Sequence, residues 1–303
     1  MTEPRTADHL TRFLLEQSGV RGVHVRLDQT WEDIRRRADV PAAIADLLGQ
    51  TVAATALFTG HAKVDGRLSI QFRGEGDLRT LFAECTAAGT LRGIARLAEG
   101  AAPAADAVAL RTLGHSALLA ITIENPGARG QEPARYQGLV GLDADTLSGA
   151  FEDYFRQSEQ LPTRILLAAG ERGVAGLMLQ KLPGDAGDLD GWDRASALFD
   201  TLGAAELLDT PAEVLLHRLF HEDGARLLGG KPLRFACSCS RERVSAMLES
   251  LGEDEAAAAA TGNGGTAEIR CEFCGETYRY AETEIRDLFH IRPGQVAGSE
   301  RLQ

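Results

Sequence analysis

Two tight cysteine pairs constrain the last quarter of this chain more than any other feature. They read Cys237-Ser238-Cys239 and Cys271-Glu272-Phe273-Cys274, with 31 residues between the pairs. The fifth cysteine, Cys85, stands far upstream. Two close pairs joined by a longer loop suit a tetrahedral zinc ion, which takes four thiolates at about 2.3 Å. Two local disulfides, or unrelated buried thiols, are the alternatives. A one-residue gap still lets both thiolates of the first pair reach one ion. If oxidised, that pair closes only as a very small, strained ring. Strained or exposed disulfides have the more oxidising potentials and tend to be labile. The first pair therefore points to a switch rather than a permanent staple.

A length of 303 residues allows two domains or three small ones, and 44% hydrophobic with 25% charged residues permits a sizeable core. The net charge of −12 argues against a nucleic-acid partner, which needs a basic footprint. The cysteine-bearing stretch is itself acidic: residues 232–290 hold 6 Lys+Arg against 11 Asp+Glu, a net of −5. No apolar leader is visible at the N-terminus. The longest apolar run, residues 117–123, is far too short to span a bilayer. The expectation is a cytoplasmic protein without a membrane partner, in a compartment where paired cysteines bind metal or sense redox state.

Along the chain, residues 8–17 carry Leu10, Phe13 and Leu14 at helical spacing, and the alternation of Val23, Val25 and Leu27 predicts a strand. Thr30 to Ile34 predicts a helix opened by a Thr-x-x-Asp variant of the capping box. A second helix, from Pro41 to about Phe58, is apolar nearly all round and so central to a core. Asp65-Gly66 is a hairpin signal. Strands follow over residues 68–72, 78–85, 91–97, 117–123 and 136–142, then a helix over 143–157 and strands over 164–168 and 174–182. Such runs of strands with helices set apart predict an α+β fold with a mainly antiparallel sheet domain. A Gly/Asp-rich boundary covers residues 184–191. Residues 192–222 read as helical, with a capping box at Thr210-Pro211-Ala212-Glu213, and 229–232 as a break. Between the cysteine pairs, Ser240 can cap a helix bearing Val244, Met247, Leu248 and Leu251 on one face. Residues 252–265 are low in complexity and read as a loop. Residues 267–270 and 276–280 flank the second pair like a small hairpin.

The run Cys237-Ser238-Cys239-Ser240-Arg241-Glu242-Arg243, with Cys271-Glu272-Phe273-Cys274-Gly275, resembles the bacterial redox-regulated heat-shock holdase, the 33 kDa chaperonin family. Two further blocks carry the same resemblance. One is Tyr136-Gln137-Gly138-Leu139-Val140-Gly141-Leu142; the other runs from Glu152-Asp153-Tyr154-Phe155-Arg156 to Leu161-Pro162-Thr163-Arg164. The order of segments agrees over nearly the whole chain, and residues 256–265 depart from it. The resemblance implies a chaperone core (1–184), a helical linker (185–231) and a small zinc domain (232–290); the last residues (291–303) read as a disordered tail. It implies an ATP-independent chaperone, not an enzyme, that is off when reduced and zinc-bound and on when oxidised. Its clients would be unfolding proteins, and its active form is commonly a homodimer. Carried over by position, Cys237, Cys239, Cys271 and Cys274 would be the zinc ligands. On oxidation Cys237 would pair with Cys239, and Cys271 with Cys274.

The remaining candidates are weaker. Cys85 falls in an apparent strand and reads as a small core residue. His217 and His221 are spaced i, i+4, but the glutamate of H-E-x-x-H is missing, so they read as a solvated pair. Arg79 sits where a nucleotide-binding glycine loop beginning at Gly74 requires glycine. An enzyme or adaptor with a purely structural zinc ribbon stays open as the alternative, distinguished by whether mild oxidation releases the metal and produces client binding.

Overall fold

The computed structural model describes residues 8–101, 110, 117–127, 132–184, 187–261 and 264–290. The chain forms two compact units, residues 1–236 and 237–303. The expected tail at 291–303 lies outside the described residues.

The first unit is built around a helix that has no polar face. After strands β1 (His9–Leu15) and β2 (Val20–Leu27) and helix α1 (Gln29–Ala38), helix α2 runs from Ala42 to His61. It is long and apolar enough to pass for a membrane span, but 72% of its apolar window is buried inside the fold. Two sheets enclose it. One, in the order β10-β1-β2-β9-β8, adds β8 (Thr163–Ala169), β9 (Val174–Lys181) and β10 (Ala225–Pro232). The other, β11-β5-β4-β3-β6-β7, comprises β3 (Arg67–Arg73), β4 (Leu78–Thr86), β5 (Thr90–Leu97), β6 (Leu118–Asn125), β7 (Ala134–Val140) and β11 (Arg234–Phe235). Among the described pairings only β11 with β5 is parallel. Leu48, Val52 and Leu57 of α2 share one core with Val23 and Val25 of the first sheet and Ile70, Leu81 and Ile121 of the second. Three buried threonines on α2 donate to the carbonyl four residues back, Thr51 to Leu47, Thr55 to Thr51 and Thr59 to Thr55, at 2.7–2.8 Å. Their hydroxyls thus enter the core satisfied.

The other face of the five-stranded sheet has its own cover. Helices α4 (Gly191–Phe199), α5 (Ala204–Asp209) and α6 (Ala212–Phe220) bury Phe199, Leu207, Leu215 and Phe220 against Phe13, Leu15, Val20, Leu177 and Leu179. Gly22 is required here, because any side chain would run into the Phe13 ring. Arg194 ties the start of this layer down. It pairs with Asp188 at 3.1 Å, Asp190 at 3.0 Å and the fully buried Asp223 at 2.8 Å.

Several expectations change. Residues 9–15 are a strand, not a helix: Leu10 faces the α2 core while Phe13 and Leu15 face the helical layer. A register shift against β10 falls between Arg12 and Phe13. Apolar side chains are buried on both faces of the strand, so its alternation is hidden and helical spacing arises by chance. The cap of α1 is not Thr30, which is buried one position inside the helix; the Asp8 carboxylate instead accepts from the backbone of Asp28, Gln29 and Thr30. Asp65-Gly66 does not join two strands. It precedes β3, and both its N–H groups donate to the Asn125 side chain. No side chain caps α6, which begins after Pro211. The glycine-rich stretch at 229–232 is not a break but the end of edge strand β10, where a final proline does no harm to a ladder. The helix read over 143–157 is α3 (Leu147–Tyr154), continued by a π-helical turn at Phe155–Glu159.

Two histidines, His24 buried and His61 half-buried, give this unit a pH dependence. Burial, with Arg26 and His9 nearby, lowers the His24 pKa to about 4; burial beside Arg21 lowers that of His61 to about 3. Below about pH 6.5 the unfolded chain binds protons that the folded one refuses, so stability falls as the pH drops toward 4. Denaturant unfolding followed by the fluorescence of Trp31 and Trp192 should show this loss. His61→Leu should reduce the slope by about 1.4 kcal/mol per pH unit. A second outcome concerns packing: Gly22→Val should cost about 1–3 kcal/mol in the same assay by overpacking against Phe13.

Candidate metal centre

The second unit places its four cysteines by two local devices. After Cys239, Ser240 accepts from the Arg243 N–H at 3.3 Å and starts helix α7 (Arg241–Leu251). Strands β12 (Thr266–Arg270) and β13 (Thr277–Ala281) form a hairpin in which Arg270 pairs with Thr277. Cys271 and Cys274 therefore sit in its turn. That turn is closed by Cys271 N–H to Glu276 O and Gly275 N–H to Cys271 O, both 2.8 Å, and it uses the positive φ of Gly275.

All four Sγ atoms lie within 4.8 Å of one another, and all four thiols are free and half-buried. The shortest separations run between the two motifs, 3.6 Å for Cys237–Cys271 and 3.3 Å for Cys239–Cys274. Four thiolates around one zinc ion at about 2.3 Å would stand about 3.8 Å apart. The cluster is consistent with one zinc ion in size, in donor chemistry and in number of donors.

The surroundings already favour thiolate in part of the cluster. At Cys271 burial pushes the pKa up. The backbone N–H groups of Cys274 and Phe273 and the neighbouring thiols outweigh it, bringing the value down to about 7. Burial pushes Cys237 and Cys274 up, as expected where several thiols crowd one site without a cation. Tyr278 O–H donates to Cys239 Sγ at 3.2 Å, and the Cys239 N–H reaches Cys237 Sγ at 3.4 Å. Such outer contacts orient sulfur ligands. Tyr280, fully buried, donates to Arg241 O at 2.9 Å and lies under the Arg241 guanidinium at 4.2 Å.

The rest of the unit supplies little core. It buries Val244, Leu248, Ala256, Ala260, Ala267, Tyr280 and Ile285, three of them alanines. The stretch read as a low-complexity loop corrects to helix α8 (Glu253–Thr261), which packs Ala256 and Ala260 inward; Gly262 and Asn263 lie outside the described residues. Alanine is the best helix former, and three acidic residues occupy the first turn. Helix α9 (Glu282–His290) adds Ile285.

Outside the cluster the sequence candidates are structural. Cys85 is fully buried, and burial pushes its pKa up to about 11, which makes it a poor nucleophile. His217 and His221 are both exposed on α6 and its end, with ring centroids 5.4 Å apart. The two motif blocks of the first unit pack together. Tyr136 meets Tyr154 hydroxyl to hydroxyl at 3.1 Å, and Gly138 leaves room for the Tyr154 ring. Glu152 holds the Ile165 N–H at 2.7 Å and Arg164 at 3.3 Å. Sequence reasoning missed Tyr278. Alternation of Tyr278 and Tyr280 marks a strand, but only the hairpin register aims Tyr278 at Cys239.

Comparison with known proteins agrees with this architecture. The family model described as Hsp33 protein matches residues 8–281. The 33 kDa chaperonin of Hahella chejuensis is 43% identical over 287 residues, covering 93% of this chain and 97% of the relative. That of Pseudomonas putida is 41% identical over 307 residues, covering 99% and 100%. The crystal structure of the 33 kDa chaperonin from Thermotoga maritima shares the fold with a TM-score of 0.75, at 19% identity, over 93% of this chain and 97% of that one. Matched almost from end to end, this chain belongs to the Hsp33 family of 33 kDa chaperonins.

Proposed function

We propose that this chain is a redox-regulated, ATP-independent holdase whose switch is the four-thiol cluster. Cys237, Cys239, Cys271 and Cys274 hold one zinc ion in the reduced, inactive state. That they converge within 4.8 Å, in a chain of the Hsp33 family, is the observation that carries the reading. A peroxide oxidises one thiolate of a pair to a sulfenic acid, its leaving hydroxide taking a proton from solvent to become water. The neighbouring thiol displaces a second water and closes the disulfide. Two such events, joining Cys237 to Cys239 and Cys271 to Cys274, consume two peroxides and remove all four ligands.

Zinc binding in small domains contributes on the order of 10–16 kcal/mol, and that energy is folding energy. Residues 237–290 have too little core to replace it. β10 and β11 run into Cys237 with only Ala236 between, so disorder at the cluster reaches the first unit covalently. In this reading residues 185–231 act as the linker. Displacing α4–α6 uncovers Phe13, Val20, Leu177 and Leu179, an apolar face suited to unfolding clients. The active form is a homodimer and works in the cytoplasm.

Chelation should remove one zinc per reduced chain and abolish the near-ultraviolet circular dichroism of Tyr278 and Tyr280; intact tyrosine signals in the metal-free protein would count against metal-dependent folding. After peroxide, loss of four thiols and one zinc should coincide with suppression of client aggregation in light scattering, reversed by reductant. Zinc loss without protection would instead mark a purely structural site.

A further inference from the structure

His24 is 1% exposed, yet neither ring nitrogen has a hydrogen-bond partner among the described residues. Its neighbours on β2, Val23 and Val25, face the α2 core, so the ring points to the opposite side of the sheet. There it lines a cavity of about 610 Å³ between the sheet and the start of α6. Arg26 stands two residues along on the same face. Its Nε stands 3.4 Å from Asp28 Oδ1, an ion pair that falls short of hydrogen-bond geometry. Pro211 precedes α6 without a side-chain cap, so the N–H groups of the first turn end at this cavity. Val214 and Leu227, each about half exposed, provide apolar walls.

A buried imidazole with one donor and one acceptor unused, a guanidinium and an uncapped helix start converge on one space. The helix start favours an anion, and the apolar walls favour a tail. The charge must be small. Arg26 is already paired with Asp28, and Glu213 in the first turn of α6 sets a like charge beside the site. We propose that this cavity is a binding site for a small monocarboxylate with a short apolar tail. The carboxylate sits against the first turn of α6, His24 and Arg26, and the tail lies along Val214 and Leu227.

The test is calorimetric titration of the reduced, full-length protein with octanoate, with octanol and octylammonium as the neutral and cationic controls. No client or oxidant is present, so the result is independent of the holdase reading. Octanoate should bind once per chain and shift the ¹⁵N resonances of the His24 ring, while both controls should bind at least tenfold more weakly. Val214→Glu puts a carboxylate into the wall at an exposed first-turn position that tolerates it, and should abolish binding with the circular dichroism unchanged. Glu213→Gln removes that like charge and should tighten binding. Octanol binding as well as octanoate, octanoate binding without a His24 shift, or full affinity in Val214→Glu would each overturn the proposal. So would no binding at all, which would leave the cavity to water only.

Discussion

A twenty-residue helix with no polar face has to be surrounded, and the first unit is arranged to surround it. Two sheets close on α2, and each spends its inner face on that contact. The second face of the five-stranded sheet is then left with Phe13, Val20, Leu177 and Leu179 to hide. A separate layer of three short helices does this. That layer is a smaller core than the one around α2, held at its start by Arg194 on buried Asp223. A sheet face that is apolar by construction thus carries its own helical cover.

The second unit meets the opposite constraint. Among its described residues seven are buried and three of those are alanines, so hydrophobic burial cannot carry the fold alone. The four-sulfur cluster joins the start of α7 to the β12–β13 turn, which are otherwise linked through Tyr280 and Arg241. The atoms that would complete this fold are also the oxidisable atoms of the unit. Stability and redox chemistry therefore share the same sulfurs, and a change in one is a change in the other.

Short-range patterns in the sequence were legible where one face of an element is buried and the other is not. β3 alternates cleanly, and Ser240 caps α7 as its position suggests. Legibility failed where contacts come from far along the chain. Strand β1 buries apolar side chains on both faces and carries a register shift, which erases its period. Strand β10 is exposed and rich in glycine, and it pairs with β1 across more than 200 residues. The cap of α1 comes from Asp8, some 20 residues away. Helix α8 read as low complexity because alanine carries little pattern; only its packing against a small core distinguishes it from a loop.

For the cluster the division is sharp. Spacing alone determined that four thiols come as two pairs, each close enough to serve one ion, because residues one to three apart cannot separate far. Membership of the Hsp33 family was likewise carried by local runs of residues. That the two pairs meet was decided by the β12–β13 register and the capped start of α7, which bring sulfurs 34 and 35 residues apart to within 3.6 Å. The same holds for His24. As a residue in an alternating strand it carries no signal, and only the packing of α6 over the sheet turns it into an unpartnered ring beside a cavity. Local geometry follows from neighbours in sequence, but burial and convergence follow from chain segments that meet only once the whole unit has closed.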